Sequence, residues 1–306
     1  MRHKQTRPAA PLPTRDGVGP SCVALPGSGA WATMLDFLIE RFPAVSRAQW
    51  LARMASGELV DQRGLAVHEA RGFEPHMRLY YYRATHNEPV LPLTEQIVYR
   101  DDELLVVDKP HFLPVVPSGP YLNETLLVRL KQQLGIDTLV PVHRIDRETA
   151  GLVMFSLRPA TRAAYQGLFR EQHVAKSYRA IVTLPPGQGL PSTVQSRIVS
   201  DGGICMREEP GPPNAETHVH IEARQGTLAR LKLTPVSGRK HQLRVHCAAL
   251  GAPILFDRYY PRLLPVAADD LQRPLQLLAS SLTFRDPVTS QQHKFRSARA
   301  LLFPEG

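Results

Sequence analysis

Nine consecutive residues carry the densest polar group in the chain: His143-Arg144-Ile145-Asp146-Arg147-Glu148-Thr149-Ala150-Gly151. They lie between two strand-like apolar runs, 139–142 and 152–155. A loop between strand ends is where a rigid scaffold presents functional groups. Charged or titratable side chains fill most of positions 143–148, more than core packing calls for. The same composition would also suit a surface turn laced with ion pairs.

A second group is Ser237-Gly238-Arg239-Lys240-His241-Gln242-Leu243-Arg244-Val245-His246. If 241–250 is helical, Ser237 to Lys240 form its approach, with N–H groups suited to phosphate. Gln242 and His246 then share a face, and Arg244 lies about 160° round from His246. His241 and His246 are five apart with no carboxylate between them, so no zinc set is expected. The alternative reading of this helix is a solvated basic face over an apolar stripe. The third group, Lys176-Ser177-Tyr178, opens a strand, where a tyrosine is also at home as a half-buried β residue.

Other chemistries are excluded by what is missing. Ile145 separates Arg144 from Asp146, and no Asp-Phe-Gly or Gly-rich loop occurs, so this is not a kinase. There is no P-loop, dinucleotide fingerprint or nucleophile elbow. Neither a nucleotide cofactor nor a metal is called for. A hydrolase built on His241 and His246 would lack a nucleophile.

The elements that must position these groups follow from periodicity. Leu35, Leu38, Ile39 and Phe42 predict a helix ended by Pro43, and Ser46 caps a second one that Gly57 stops. Short strands are expected at 59–60, 65–67 and 79–82. Beyond a Pro-containing stretch, strands are expected at 104–107, 152–156, 177–184, 217–223 and 229–233. Helices are expected from an Asn123 cap to Gly135, over 160–172 and over 241–250. Strands without regular helix alternation predict an α+β fold: a mixed, mostly antiparallel sheet with peripheral helices, preceded by a small α+β unit. The boundaries are a mobile basic arm over 1–28, a small unit over 29–83, a linker over 84–96 and a large domain over 97–306.

Composition agrees with a globular protein that meets a polyanion. The 306 residues are 43% hydrophobic, and 37 Lys and Arg face 28 Asp and Glu, a net charge of +9. The 28 prolines are well above the usual share of about 5%. Three scattered cysteines form no disulfide framework, so a reducing, cytoplasmic setting is expected. No apolar run is long enough to span a bilayer and no signal peptide is expected; a monomer is the default.

Taken in order, the three groups resemble the RluA family of pseudouridine synthases. Residues 143–151 match the family's His-Arg-Leu-Asp-x-x-Thr-Ser-Gly, with Ile145 and Ala150 as mild replacements. Lys176 and Tyr178 match its Lys-x-Tyr, and 238–246 match Gly-Arg-x-His-Gln-Ile-Arg-x-His. An earlier Asn-Lys-Pro-x-Gly stretch is matched loosely by 108–112, and the resemblance covers about residues 97–300. The small unit resembles an S4-type RNA-binding domain through Ser46-Arg47 and Gly57-x-Leu59-Val60; the usual Val-x-Asn-Gly turn reads 60–64 instead. Phe112 and Phe256 stand where the family commonly has glycine, which permits positive φ or close backbone approach.

The resemblance implies an isomerase that converts uridine in ribosomal or transfer RNA to pseudouridine, without cofactor or metal. Asp146 would be the essential carboxylate, Arg244 its ion-pair partner, and Tyr178 the ring that stacks on uracil or handles the C5 proton. Arg144 would hold the rearranged RNA, with His143 beside it. Lys176, Arg239 and Lys240 would contact phosphates, and Ile145 and Leu243 would line an apolar pocket. The competing reading is an inactive RNA-binding protein of the same fold.

Overall fold

The computed structural model describes residues 10–83 and 88–304. Two units result: one reaches to Glu88 and takes in Gly119–Asn123, the other comprises Pro89–Ser118 and the chain from Glu124 on.

The first unit contains β1 (Ser21–Ala24), α1 (Met34–Arg41), α2 (Arg47–Ala55), β2 (Leu59–Asp61) and β3 (Arg78–Tyr81). Both helices begin with a reciprocal capping box, Thr33 with Asp36 and Ser46 with Gln49, which satisfies N–H groups that have no helical partner. The strands form an antiparallel sheet in the order β1-β3-β2. Met34, Leu38, Trp50, Leu59 and Leu79 make its fully buried core.

The expected arm over 1–28 is corrected here. β1 pairs with β3 from Ser21↔Tyr81 to Ala24↔Arg78, and Val18 and Leu25 are buried. β2 occupies only one edge of β3, so the other edge needs a partner, and four residues are too few to show a period. Arg2, Lys4 and Arg7 lie outside the described residues. The strand expected at 65–67 reduces to one bridge, Val60↔Ala66.

The second unit runs β4 (Gln96–Arg100), β5 (Leu104–Lys109), α3 (Leu126–Leu134), β6 (Val140–Pro141), β7 (Ala150–Ser156), α4 (Arg162–Arg170) and β8 (Ala175–Thr183). It continues with β9 (Thr193–Ser200), β10 (Met206–Glu209), β11 (Ala215–Gln225), β12 (Leu228–Pro235), α5 (Gln242–Ala249), β13 (Leu277–Arg285) and β14 (Gln292–Arg296). One eleven-stranded sheet follows the order β10-β9-β11-β12-β8-β13-β7-β5-β4, with β14 on β13 and β6 on β7. β7 and β13 pair in parallel and the other pairs are antiparallel, so the α+β reading stands. β5 and β7 are buried along their whole length, as their unbroken apolar runs require.

Thr125, not Asn123, caps α3, its hydroxyl accepting from the Val128 N–H; Gly135 ends the helix at φ +68°. Gly151 is fixed by packing. Its φ is +111°, and a Cβ there would lie 2.3 Å from the Ala279 carbonyl oxygen, so only glycine lets β7 meet β13. Among the described residues no helix is long and apolar enough to cross a membrane.

Candidate active site

A cleft of about 840 Å³ opens in the second unit. His143, Arg144, Ile145 and Asp146 reach it from the loop between β6 and β7, and Lys176 and Tyr178 from β8. Arg239 and Lys240 reach it from the approach to α5, and Leu243 and Arg244 from α5 itself. All ten residues singled out in the sequence therefore line one cavity.

The cleft is organised around Arg244, which is 1% exposed. Its Nε and Nη2 donate to the two oxygens of Asp257 at 2.8 and 2.6 Å. Its Nη1 points outward, 3.4 Å from Asp146 Oδ2 and 3.6 Å from Glu148 Oε2. The ring of Tyr259 covers the guanidinium at 4.6 Å. Burial opposes the charge, but Asp257, Asp146 and Glu148 outweigh it and raise the Arg244 pKa, so the cation is permanent. The expected pairing of Arg244 with Asp146 is thus an outer contact, longer than the inner one. Asp257 holds the inner one, a partner that lay outside the three sequence groups.

α5 is not a half-solvated basic helix. Gln242 through Cys247 are all buried. Gln242 Nε2 donates to Glu216 O and Thr217 Oγ1 at 2.8 and 2.9 Å. His246 Nδ1 meets the same Thr217 hydroxyl at 2.9 Å and its Nε2 meets Ser196 Oγ at 3.0 Å. The shared helix face of Gln242 and His246 docks α5 on β11 and β9 and so aims Arg244.

The loop carrying Asp146 is gripped from behind. The fully buried Lys109 donates Nζ to the carbonyls of Pro110 and Arg147 at 2.9 and 3.0 Å, and burial lowers its pKa to about 7. His111 Nδ1 donates to Glu148 O at 2.7 Å, and burial lowers that histidine to about 4. His143 lines the cleft with its ring held from both sides. Its ring stacks on Phe169 at 4.3 Å and its Nε2 accepts from the Met154 N–H at 3.1 Å, with its pKa lowered to about 3 by burial and by Lys176. Phe112 and Phe256 take φ +63° and +62°, the glycine conformation without glycine, at about 1–2 kcal/mol each.

The cations at the mouth are held by carbonyls. Lys176 donates to Ser237 O at 2.8 Å, Arg239 to Asn214 O at 3.0 Å and Lys240 to Ile204 O at 2.6 Å. Their charges are aimed but not neutralised by those bonds. Arg144 is exposed, with no hydrogen-bond or ion-pair partner among the described residues. Tyr178, Leu243 and Leu277 supply the apolar lining. Burial and then the charge of Asp146 raise the Tyr178 pKa, so its phenol stays protonated.

Sequence reasoning named His241 but gave it no place beside Asp146, and it missed Asp257 and the Tyr259–Tyr260 pair. His241 Nε2 lies 3.9 Å from Asp146 Oδ1, its Nδ1 meets the Tyr260 hydroxyl at 2.8 Å, and burial lowers its pKa to about 4, leaving it neutral. Asp257 and the Tyr259–Tyr260 pair follow α5 at no fixed period, so no periodic signal points to them. Among the described residues, no three His, Cys, Asp or Glu are grouped to hold a metal ion.

The family model "RNA pseudouridylate synthase" matches residues 103–249, a span that includes all three groups. An uncharacterized RNA pseudouridine synthase of Synechocystis is 32% identical over 234 residues, covering 74% of this chain and 79% of that protein. The dual-specificity RNA pseudouridine synthase RluA of Pasteurella multocida is 35% identical over 210 residues, 67% of this chain and 93% of that one. The solved structure of human RNA pseudouridylate synthase domain containing 4 superposes with a TM-score of 0.52 at 26% identity, covering 65% of this chain and 87% of that chain.

Proposed function

This chain belongs to the RluA family of RNA pseudouridine synthases, which are isomerases, and from that premise we propose that Asp146 drives the conversion of uridine to pseudouridine in ribosomal or transfer RNA. The reaction breaks N1–C1′, turns uracil within the cleft and joins C5 to C1′. One proton leaves C5 and N1 ends as N–H, so there is neither redox change nor net hydrolysis. The one carboxylate serves either route to base departure, bonding to C1′ or promoting a glycal-like species.

The carrying observation is the outer contact of Asp146 with a guanidinium whose inner edge is saturated by Asp257. Arg244 orients the carboxylate and favours its charge, while one Asp146 oxygen stays available to the sugar. Tyr178 supplies the face on which a flipped uracil stacks, and Leu243 with Ile145 keeps the detached base from escaping. Arg144 holds the rearranged RNA, and Lys176, Arg239 and Lys240 meet phosphates. The first unit acts as an S4-like RNA-binding module, a reading supported by the exposed Arg47 and Arg63 beside its capped helices and turn. The enzyme works as a cytoplasmic monomer with no metal.

The test is Asp146→Asn, scored by tritium release from C5-labelled RNA and by RNA binding. Loss of release with binding retained is expected. Release at the parental rate would overturn the assignment.

A further inference from the structure

Residues 258–276 connect α5's following turn to β13 without helix or strand, and they are tied down at two points. At the root, Asp257 Oδ1, which already accepts from Arg244 Nη2, also accepts from the N–H groups of Tyr259 and Tyr260 at 2.8 and 3.2 Å. Inside the strap, Arg258 donates to the carbonyls of Pro265 and Ala268 at 2.6 and 3.3 Å. Further on, Asp269 receives both Nη groups of Arg147, with Nη1 to Oδ1 at 3.1 Å. Arg147 is the residue after Asp146, lines the cleft, and has its guanidinium set over the Phe112 ring at 5.6 Å.

Asp269 is out of place by charge. The mouth presents Arg144, Lys176, Arg239 and Lys240, and a polyanion approaching it would be repelled by this strap carboxylate. Carboxylate and phosphate fit the planar guanidinium fork in the same two-pronged way. The ion pair is partly exposed, with side-chain exposures of 24% and 30%, so it is a weak bond that one competing anion can break.

We propose that Arg147 is a further phosphate-binding residue, occupied in the RNA-free protein by Asp269, and that an RNA phosphate releases the strap by taking Asp269's place. This rests on the reading of the cleft as an RNA site. Phe112 presents the guanidinium in place through the exchange. Release frees residues 261–274, while the root stays tied to Asp257 and Arg244.

The probe is a fluorescent oligouridylate, with the full-length protein. Asp269→Asn should tighten binding about three- to ten-fold and steepen the slope of log K against log salt by about 0.7, because no displaced carboxylate then recaptures a cation. Arg147→Gln should weaken binding by a similar factor, and adding Asp269→Asn to it should tighten binding far less than Asp269→Asn does in the parent. Trypsin reads the strap directly at Arg262, which is exposed and precedes Leu263: oligouridylate should speed cleavage there several-fold in the parent and little in Asp269→Asn. An active parent whose Asp269→Asn variant binds with unchanged affinity, or whose strap is protected by oligouridylate, would sink the latch and leave the proposed function standing. A parent that neither binds oligouridylate nor forms pseudouridine in cellular RNA would remove both.

Discussion

Each unit has an aspartate facing an arginine, and the two pairs are built to opposite ends. In the first unit, Asp61 is 0% exposed and fully engaged: Oδ1 accepts from the Arg63 and Leu65 N–H groups at 2.8 and 3.0 Å, and Oδ2 pairs with Arg71 at 2.9 Å. In the second, Asp146 keeps a 23% exposed side chain and touches Arg244 at 3.4 Å, because Asp257 has taken the close geometry. A carboxylate whose acceptor sites are all filled is a fastener. One left with spare capacity beside a permanent cation, at the wall of a cleft, is available to a substrate. The arginine in each pair does different work: Arg71 closes a turn, whereas Arg244 is itself immobilised so that Asp146 need not be.

The sharpest way to break this contrast is at Asp146. Asp146→Asn should lower pseudouridine formation by roughly 10⁴-fold with thermal unfolding unchanged, since the side chain carries little of the packing. A similar loss of activity accompanied by a large loss of stability would mean that Asp146 is a fastener after all. Next comes Asp257→Asn, which leaves Arg244 buried with half its pairing gone. It should cost about 3–5 kcal/mol of stability in the second unit, read by far-UV circular dichroism, and reduce activity as well. Unchanged stability there would show that the inner ion pair is not what fixes the guanidinium.

How much of this was legible in advance depends on distance along the chain. The charged loop 143–151 and the strands β5 and β7 were legible because an apolar run or a dense polar stretch is a local signal. α5 was legible in place but not in environment, since its burial depends on β9 and β11 closing over Gln242 and His246. β9, β10, β13 and β14 escaped because their sides alternate weakly or mix polar residues into half-buried positions, as in the β9 pattern around Ser196 and Ile198. Asp257 could not be ranked as the main partner of Arg244, because their separation spans a loop whose path no periodicity fixes. Asn123 and Thr125 are both good caps two residues apart, and the choice between them rests on where β5's following loop delivers the chain. The hold on the His143 ring depends on Phe169 of α4, a contact between segments a dozen or more residues apart.

Acid should separate the two units as well. Burial holds His143 at about 3 and His111 and His241 at about 4, all in the second unit and all below the ordinary 6.5. In the unfolded chain these groups take up protons first as pH falls. Stability from keeping them neutral is therefore whole above about pH 6.5 and lost progressively from there toward pH 3–4. At pH 5.5 the second unit should be weaker than at pH 7 by about 1 kcal/mol per histidine. Lys109, lowered to about 7 by burial, adds a further rise in stability between pH 7 and its unfolded value. Urea midpoints by circular dichroism at the two pH values check this, and equal midpoints would mean that these rings are not held neutral by the fold.

The smallest effect expected is at Asp61, and it is the cleanest comparison because both tryptophans, Trp31 and Trp50, lie in the first unit, so their fluorescence reports that unit alone. Asp61→Ala removes the acceptor for two backbone N–H groups in the turn to Leu65, where Gln62 to Ala66 are exposed and water can substitute in part. It also releases Arg71, which still has Glu74 at 2.9 Å. The net loss should be about 1–2 kcal/mol in the tryptophan-detected transition. Asp61→Asn keeps an oxygen for both N–H groups and should recover most of it, whereas the same change at Asp146 should recover no activity, because the proposed chemistry uses the charge there and not the acceptor. Turnover on a short RNA that reaches only the cleft should be the same in the parent and in both Asp61 variants. A matching drop in that turnover would mean that the two aspartates are not as differently employed as their surroundings imply.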